Sequence, residues 1–439
     1  MQRWKGCDSK SGGGVVAVGR VAVGIAVGNK APALEQADLG PGTGQHGNFV
    51  LVGNDGDVYE SVRGGEPHRL TWGWVEQADR RYYAWPVFSP AGDRLACLGV
   101  CAGQETETDS ALYLVERDGV SMRELWRSTQ VTPVCHNWSA DGQHIAILYE
   151  ASDGLHLDLV SRGGTVGLDG PTVLEAVEHG SPLFWSWSPD PGVGMLAVHV
   201  GGSASLSEDA RLLLLDVGEC AVEVASLEPG EFRVPVWSPA GDRLAYVDAS
   251  AGEQEFLAVY RVEDGVSEIV CPVEGHVVMD WSRDGRTLAI SQALGESPHV
   301  FTGVTLVDVR SGNTRVVHDS DVVSFFWAGK GNRLVSVGVD EGQGVRISVF
   351  DDKGDTNGPG PLLIPSPEMT YFLQFFDQFA VSHPLVSADG RSMLLSGRLT
   401  AAGGNPDDNR ANSVYLVDLD DGSLITELAQ GCFACWSGG

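Results

Sequence analysis

Lysine is rare in this chain: five residues of 439, within a basic total of 29 that faces 59 aspartates and glutamates. The resulting net charge of -30 repels a phosphate backbone, which excludes nucleic acid as a partner class and favours cationic partners or metal ions. Long apolar runs are missing too. The stretch VVAVGRVAVGIAVG, Val15 to Gly28, is interrupted by Arg20 and too short to span a bilayer, so no transmembrane helix is expected. Helical periodicity is absent almost everywhere, while 57 Gly and 21 Pro supply turns, and that combination favours an all-β chain. Neither a phosphate-binding P-loop nor an H-E-x-x-H zinc motif occurs.

Eight cysteines form no obvious disulfide ladder. Cys97, Cys135, Cys220 and Cys271 lie in or beside apolar strand-like runs, where a free cysteine acts as a small hydrophobe. Cys432 and Cys435 make a lone C-x-x-C. In an extended strand, residues three apart point to opposite faces, so this pair is read as structural rather than as a metal clamp.

The first 46 residues differ from the rest: a polar, basic start, the apolar stretch, then small residues in NKAPALEQA. That order is the order of a signal peptide and favours export to a periplasmic or extracellular space over the cytoplasm. A structureless leader and a start set too early are the alternatives. Residues 47–439 are expected to form a single domain.

What fills that domain is a repeat. An aromatic, a turn and an apolar strand recur in VFSPAGDRLACLG, NWSADGQHIAILY, VWSPAGDRLAYVD and DWSRDGRTLAISQ. The anchor falls at Phe88, Trp138, Trp187, Trp237, Trp281, Trp327, Val386 and Trp436, at intervals of 50, 49, 50, 44, 46, 59 and 50 residues. Each interval holds four strand-like runs, the signature of a propeller blade. The stretch from Asn48 to Trp72 supplies three strands without an anchor, and CFACWSGG supplies the missing one. The expected architecture is an all-β propeller of eight four-stranded blades, closed by pairing of the N- and C-terminal strands, with seven blades as the alternative.

WSPAGDRLAYV and WSRDGRTLAIS resemble the repeat of TolB-type, WD40-like propellers, shared by the propeller domains of prolyl oligopeptidase and dipeptidyl-peptidase-IV relatives. The resemblance extends from about Asn48 to Ser437. It implies a protein-binding scaffold, with TolB-type proteins as the reference. The peptidase relatives add an α/β-hydrolase domain with a G-x-S-x-G elbow. No G-x-S-x-G occurs here, so peptidase activity is not expected and no catalytic residue is assigned. Phe88 and Val386 in place of Trp, and the turns WSPDPGVG and WAGKGN, depart from the repeat.

Candidate binding residues fall in two groups. Tyr83, His136, Arg233, Asp280 and His383 precede the anchors and are expected to line the central channel, where two imidazoles and a carboxylate suit a divalent metal or acid–base chemistry. The long interval contains an insert at about 351–383. Within it Phe372, Phe375, Phe376 and Phe379 have the spacing of one helix face. Such a helix either plugs one end of the channel or offers an aromatic docking surface. The acidic turns DDKGD and DLDDG lack the spacing of a calcium loop and read as solvated turns. The favoured function is a non-enzymatic scaffold for a protein partner, with no cofactor. The alternative is an enzyme or small-ligand or metal binder that uses the channel residues.

Overall fold

The computed structural model describes residues 47–437, apart from 62–64, 74–80, 103–107, 117–120, 164–172, 181–182, 202–209, 218–220, 231–232, 250–251, 253, 294–298, 330–332, 341–343, 352–353, 356–359, 400–410 and 422–423. The leader, Cys220 and parts of both acidic turns lie outside the described residues. The described chain forms six four-stranded antiparallel sheets and one of eight strands. Blades 1 to 6 open with strands Arg81–Phe88, Thr132–Trp138, Leu183–Trp187, Val236–Trp237, His276–Trp281 and Ser324–Trp327. Blade 7 opens at the isolated bridge of Val386 to Met393, and blade 8 with Phe433–Trp436. Repeats 6 and 7 share the eight-stranded sheet, so the described residues form seven continuous sheets.

The turn after each first strand is organised by its serine. Ser238 takes the Arg243 carbonyl on its own N–H, and its hydroxyl accepts from the Arg243 N–H at 3.1 Å. That hydroxyl also donates to Asp242 at 2.6 Å. Gly241 closes the turn at φ 71°, where a side chain is disfavoured. Ser89, Ser139, Ser282 and Ser387 repeat the pattern, with Asp93, Asp141, Asp284 and Asp389 as acceptors. Asp before or after the glycine reaches the same hydroxyl, so GD and DG versions of the turn are equivalent.

Five of the six tryptophan anchors tie their blade to the one before, Trp187 being the exception. The Nε1–H of Trp138, Trp237, Trp281, Trp327 and Trp436 donates to the carbonyls of Val87, Ser186, Val236, Asp280 and Leu385 at 2.9–3.3 Å. Every acceptor lies one position before the preceding anchor. Where the anchor is not Trp, something else closes the seam. At Val386, strand Leu363–Pro365 pairs with both Gly344–Asp351 of blade 6 and Ser392–Leu399 of blade 7. There Gly390 packs so closely on Gly329 that a Cβ would meet the Gly329 nitrogen at 2.0 Å.

The ring closes through Phe433–Trp436 pairing with Phe49–Val52, in the register Phe49↔Trp436 to Val52↔Phe433. Tyr59, in strand Val58–Ser61, and His68–Arg69 complete that blade. No helix among the described residues is long and apolar enough to cross a membrane.

Candidate functional site at the propeller axis

The insert delivers two short helices to the axis. Helix α1, Pro367–Gln374, starts where Ser366 caps the Met369 N–H and Pro367 presets the first turn. Helix α2, Phe376–Phe379, follows after Phe375 leaves helical geometry at φ -122°, ψ 35°. One continuous helical face was expected from the phenylalanine spacing; the structure breaks it at Phe375. The reason is local geometry: the Phe375 N–H is shared between the Tyr371 and Phe372 carbonyls, ending α1.

The four side chains of α2 radiate to different blades, as the 100° step of a helix dictates. Phe376 meets Phe301 of blade 5 and Phe325 and Phe326 of blade 6. Asp377 lies in the field of Arg233, which leads into blade 4. Gln378 accepts from the Trp185 N–H at 3.2 Å and donates to the Trp185 carbonyl at 3.0 Å, in blade 3. Phe379 stacks on Trp85 of blade 1 at 4.6 Å. Phe372, Phe376 and Phe379 are fully buried and Phe375 partly so, the last packed edge-on to His299. These rings fill the channel, and little of them is left to display to a partner.

The five channel candidates lie at different depths. Counted back from their anchors, Asp280 is one residue away, His136 two, His383 three, Arg233 four and Tyr83 five. At roughly 3.3 Å per residue, the first and the last are separated by about 13 Å along the strand direction. They therefore divide. Tyr83 sits at the seam of blades 8 and 1: its N–H donates to the Gly56 carbonyl and its ring packs edge-on to Tyr113. Asp280 stands apart, partly accessible, and burial pushes its carboxyl up to about 7. His136 and His383 are brought near each other. Burial holds them down to about 3 and about 4, and His383 contributes to the shift of His136. His383 is bonded to the Ser382 hydroxyl at 2.8 Å through Nδ1, while its Nε2 and both nitrogens of His136 have no well-formed partner.

Two features were missed by sequence reasoning. Trp85 is the non-glycine residue at positive φ (52°) among the described residues, and the register of its strand shifts between Ala84 and Val87. Its ring touches Tyr371, Phe379, His383 and Phe433, so backbone strain is held in place by the plug. The sequence AWPV gives no hint of it, since a following proline favours extended backbone at negative φ. The second feature is a cluster around Arg233. His199 Nδ1 bonds the Arg233 carbonyl at 2.8 Å, and the guanidinium lies 5.5 Å from the Phe301 ring centroid. His276 and His299 lie within its field.

Among the described residues no group of three or more His, Cys, Asp or Glu side chains is arranged to hold a metal ion. The described cysteines Cys97, Cys101, Cys135, Cys271, Cys432 and Cys435 are free thiols.

No family model matches the chain, and no curated protein matches it. Solved structures do. Dihydro-heme d1 dehydrogenase NirN is 14% identical over 89% of this chain and 76% of its own, with a TM-score of 0.50. A putative TolB from Agrobacterium tumefaciens is 17% identical over 73% of this chain and 95% of its own, at 0.34. An oligogalacturonate lyase from Vibrio parahaemolyticus is 14% identical over 87% and 84%, at 0.41. At these identities the likeness concerns the fold alone. The chain is an all-β propeller.

Proposed function

We propose that this propeller is a non-enzymatic binding scaffold that engages a protein partner through the face on which the axial helices emerge. The observation that carries this reading is the radial docking of α2. One helical turn on the axis, tied to several blades, makes the channel part of the core. Val381, just past α2, is 70% exposed and marks that face. The test is a cross-linked purification of the full chain from its native cells, beside Val381→Glu. A stoichiometric protein retained by the wild type and lost by a variant of unchanged melting temperature supports the scaffold. A partner indifferent to the substitution, or none at all, overturns it.

A second reading is kept for His136 and His383, whose ring nitrogens other than His383 Nδ1 have no well-formed partner and suit a small ligand or a divalent metal. His136→Gln with His383→Gln separates the two: the scaffold keeps its partner, whereas the ligand site loses its ligand. Export is proposed from the order of the leader, and a mature N-terminus near Leu34 would support it.

A further inference from the structure

We propose that the channel mouth between blades 1 and 2, where the Trp85 and Tyr371 rings lie beside the Glu150 carboxylate, binds a small organic cation of the quaternary-ammonium or guanidinium class. This inference stands independently of the scaffold reading.

The strands set the place. Glu150 pairs with Thr132, the first residue of blade 2. In an antiparallel blade the end of the second strand lies beside the start of the first, so Glu150 stands at the channel mouth. It is exposed and makes no ion pair or hydrogen bond with the described residues. Helix α1 carries Tyr371 to the same place. The Tyr371 ring lies 5.8 Å from that of Trp85, and its hydroxyl lies in the field of Cys135 and Glu150 of blade 2. Thr132, Val134, Trp85 and Tyr371 are each partly open to solvent.

Backbone strain aims the indole. The register of its strand slips between Ala84 and Val87, and a bulge of this kind redirects a side chain. Trp85 itself sits at φ 52°, a conformation costly for a bulky residue and more so before proline. Strain of this sort concentrates at ligand clamps and switch regions. Phe379 stacks on the indole at 4.6 Å, and Phe433 and His383 pack against it at 66° and 80°, which holds the ring in one orientation. The aromatic part of the site is therefore built before any ligand arrives.

The chemistry favours an organic cation. Aromatic faces carry partial negative charge and attract cations, and Glu150 adds a full negative charge beside them. Burial, then Cys135 and Glu150, holds the Tyr371 phenol above its usual range, so it stays a neutral hydroxyl. The chain's net charge of -30 draws cations toward the mouth. A metal ion fits poorly: one carboxylate cannot replace its oxygen shell, and no group of three ligand side chains occurs among the described residues. A weakly hydrated guanidinium or quaternary ammonium loses less on leaving water. The row of rings continues from Tyr371 through Phe375 to His299, and there the field of Arg233 repels a cation. The ligand therefore belongs at the Trp85–Tyr371 end.

The test is calorimetric titration of the full chain with choline, with methylguanidinium and with dimethylbutanol, the neutral carbon isostere of choline. The proteins are the wild type, Glu150→Gln, Trp85→Leu and a control, Glu274→Gln, which alters an exposed carboxylate at the same end of blade 5. Saturable binding of at least one cation is expected, weakened at least fivefold by Glu150→Gln, lost in Trp85→Leu and unchanged in the control. Preference between the two cations identifies the head group. No saturable heat with either cation, equal affinity for the neutral isostere, or full affinity in Glu150→Gln overturns the site. Glu150 is exposed, so its variant is expected to fold, with circular dichroism recorded alongside. Should Trp85→Leu unfold, the isostere comparison and Glu150→Gln decide on their own.

Discussion

Asp280 lies one residue before Trp281, where its main-chain carbonyl accepts the Trp327 indole while its carboxyl is held up to about 7 by burial. The native state therefore keeps a proton that the unfolded chain, with an ordinary aspartate near 3.8, has released. Between those values stability falls as pH rises, by about 1.4 kcal/mol per pH unit for a fully shifted group. Asp280→Asn removes this loss and leaves the indole bond to the backbone intact. The variant is expected to melt above the wild type at pH 8, with the gap closing toward pH 5. A gap that ignores pH would mean that Asp280 ionises normally. On the acid side the sign reverses: His136, His199, His276 and His383 are held down to between about 3 and about 4. Their contribution is lost as pH falls below about 6.5, and the variant shares that loss. At this scale the sequence was half legible. It marked Tyr83, His136, Arg233, Asp280 and His383 as channel-lining candidates before the anchors, but not their depths. A single register step changes which residues meet, and Asp280 ended at the opposite end of its strand from His276.

Elements are joined here by a repeated contact that the sequence displays only as a conserved letter in its own repeat. Trp237 donates its indole N–H to the Ser186 carbonyl at 3.0 Å. Trp187, in the same position of the blade before, has no partner for its Nε1. At that seam the indole bond is made instead by Trp185, to the Asn137 side chain at 2.7 Å. Substituting each by Phe removes similar ring volume, but only in Trp237→Phe does a buried carbonyl lose its donor. That variant is expected to cost about 1–2 kcal/mol more than Trp187→Phe, read as the difference in free energy of urea unfolding. Equal losses would mean that the indoles act by volume alone. The turns were legible in full, because Ser, Asp and Gly act within six residues of one another. The axial plug was legible only as spacing. The Gln378–Trp185 bonds join residues 193 apart, and nothing local in the sequence announces such a pair.

At the scale of the whole molecule, closure depends on four residues. Phe433, Ala434, Cys435 and Trp436 are each at most 4% exposed, and their strand covers the edge of Phe49–Val52. Ser437 adds its N–H to the Asn48 carbonyl at 2.8 Å, and Trp436 ties blade 8 to blade 7 at Leu385. Phe433 reaches the axis, where it meets Trp85, Phe372 and His383. The last strand therefore joins the rim of the ring to its plug. Deleting residues 432–439 removes two buried aromatic side chains, each worth about 3–5 kcal/mol, against a total stability of about 5–15 kcal/mol. It also bares a strand edge whose four residues, Phe49 to Val52, are all buried in the intact ring. The truncated chain is expected to lose its single cooperative melting transition and to aggregate, by light scattering, at temperatures where the intact chain is clear. A synthetic peptide of residues 430–439 added in trans should restore the transition, since the backbone register alone specifies where it pairs. A truncated chain that melts like the intact one would show that the blades hold without closure. In that case the ring must draw its cohesion from the plug and the indole seams rather than from the joining of its ends.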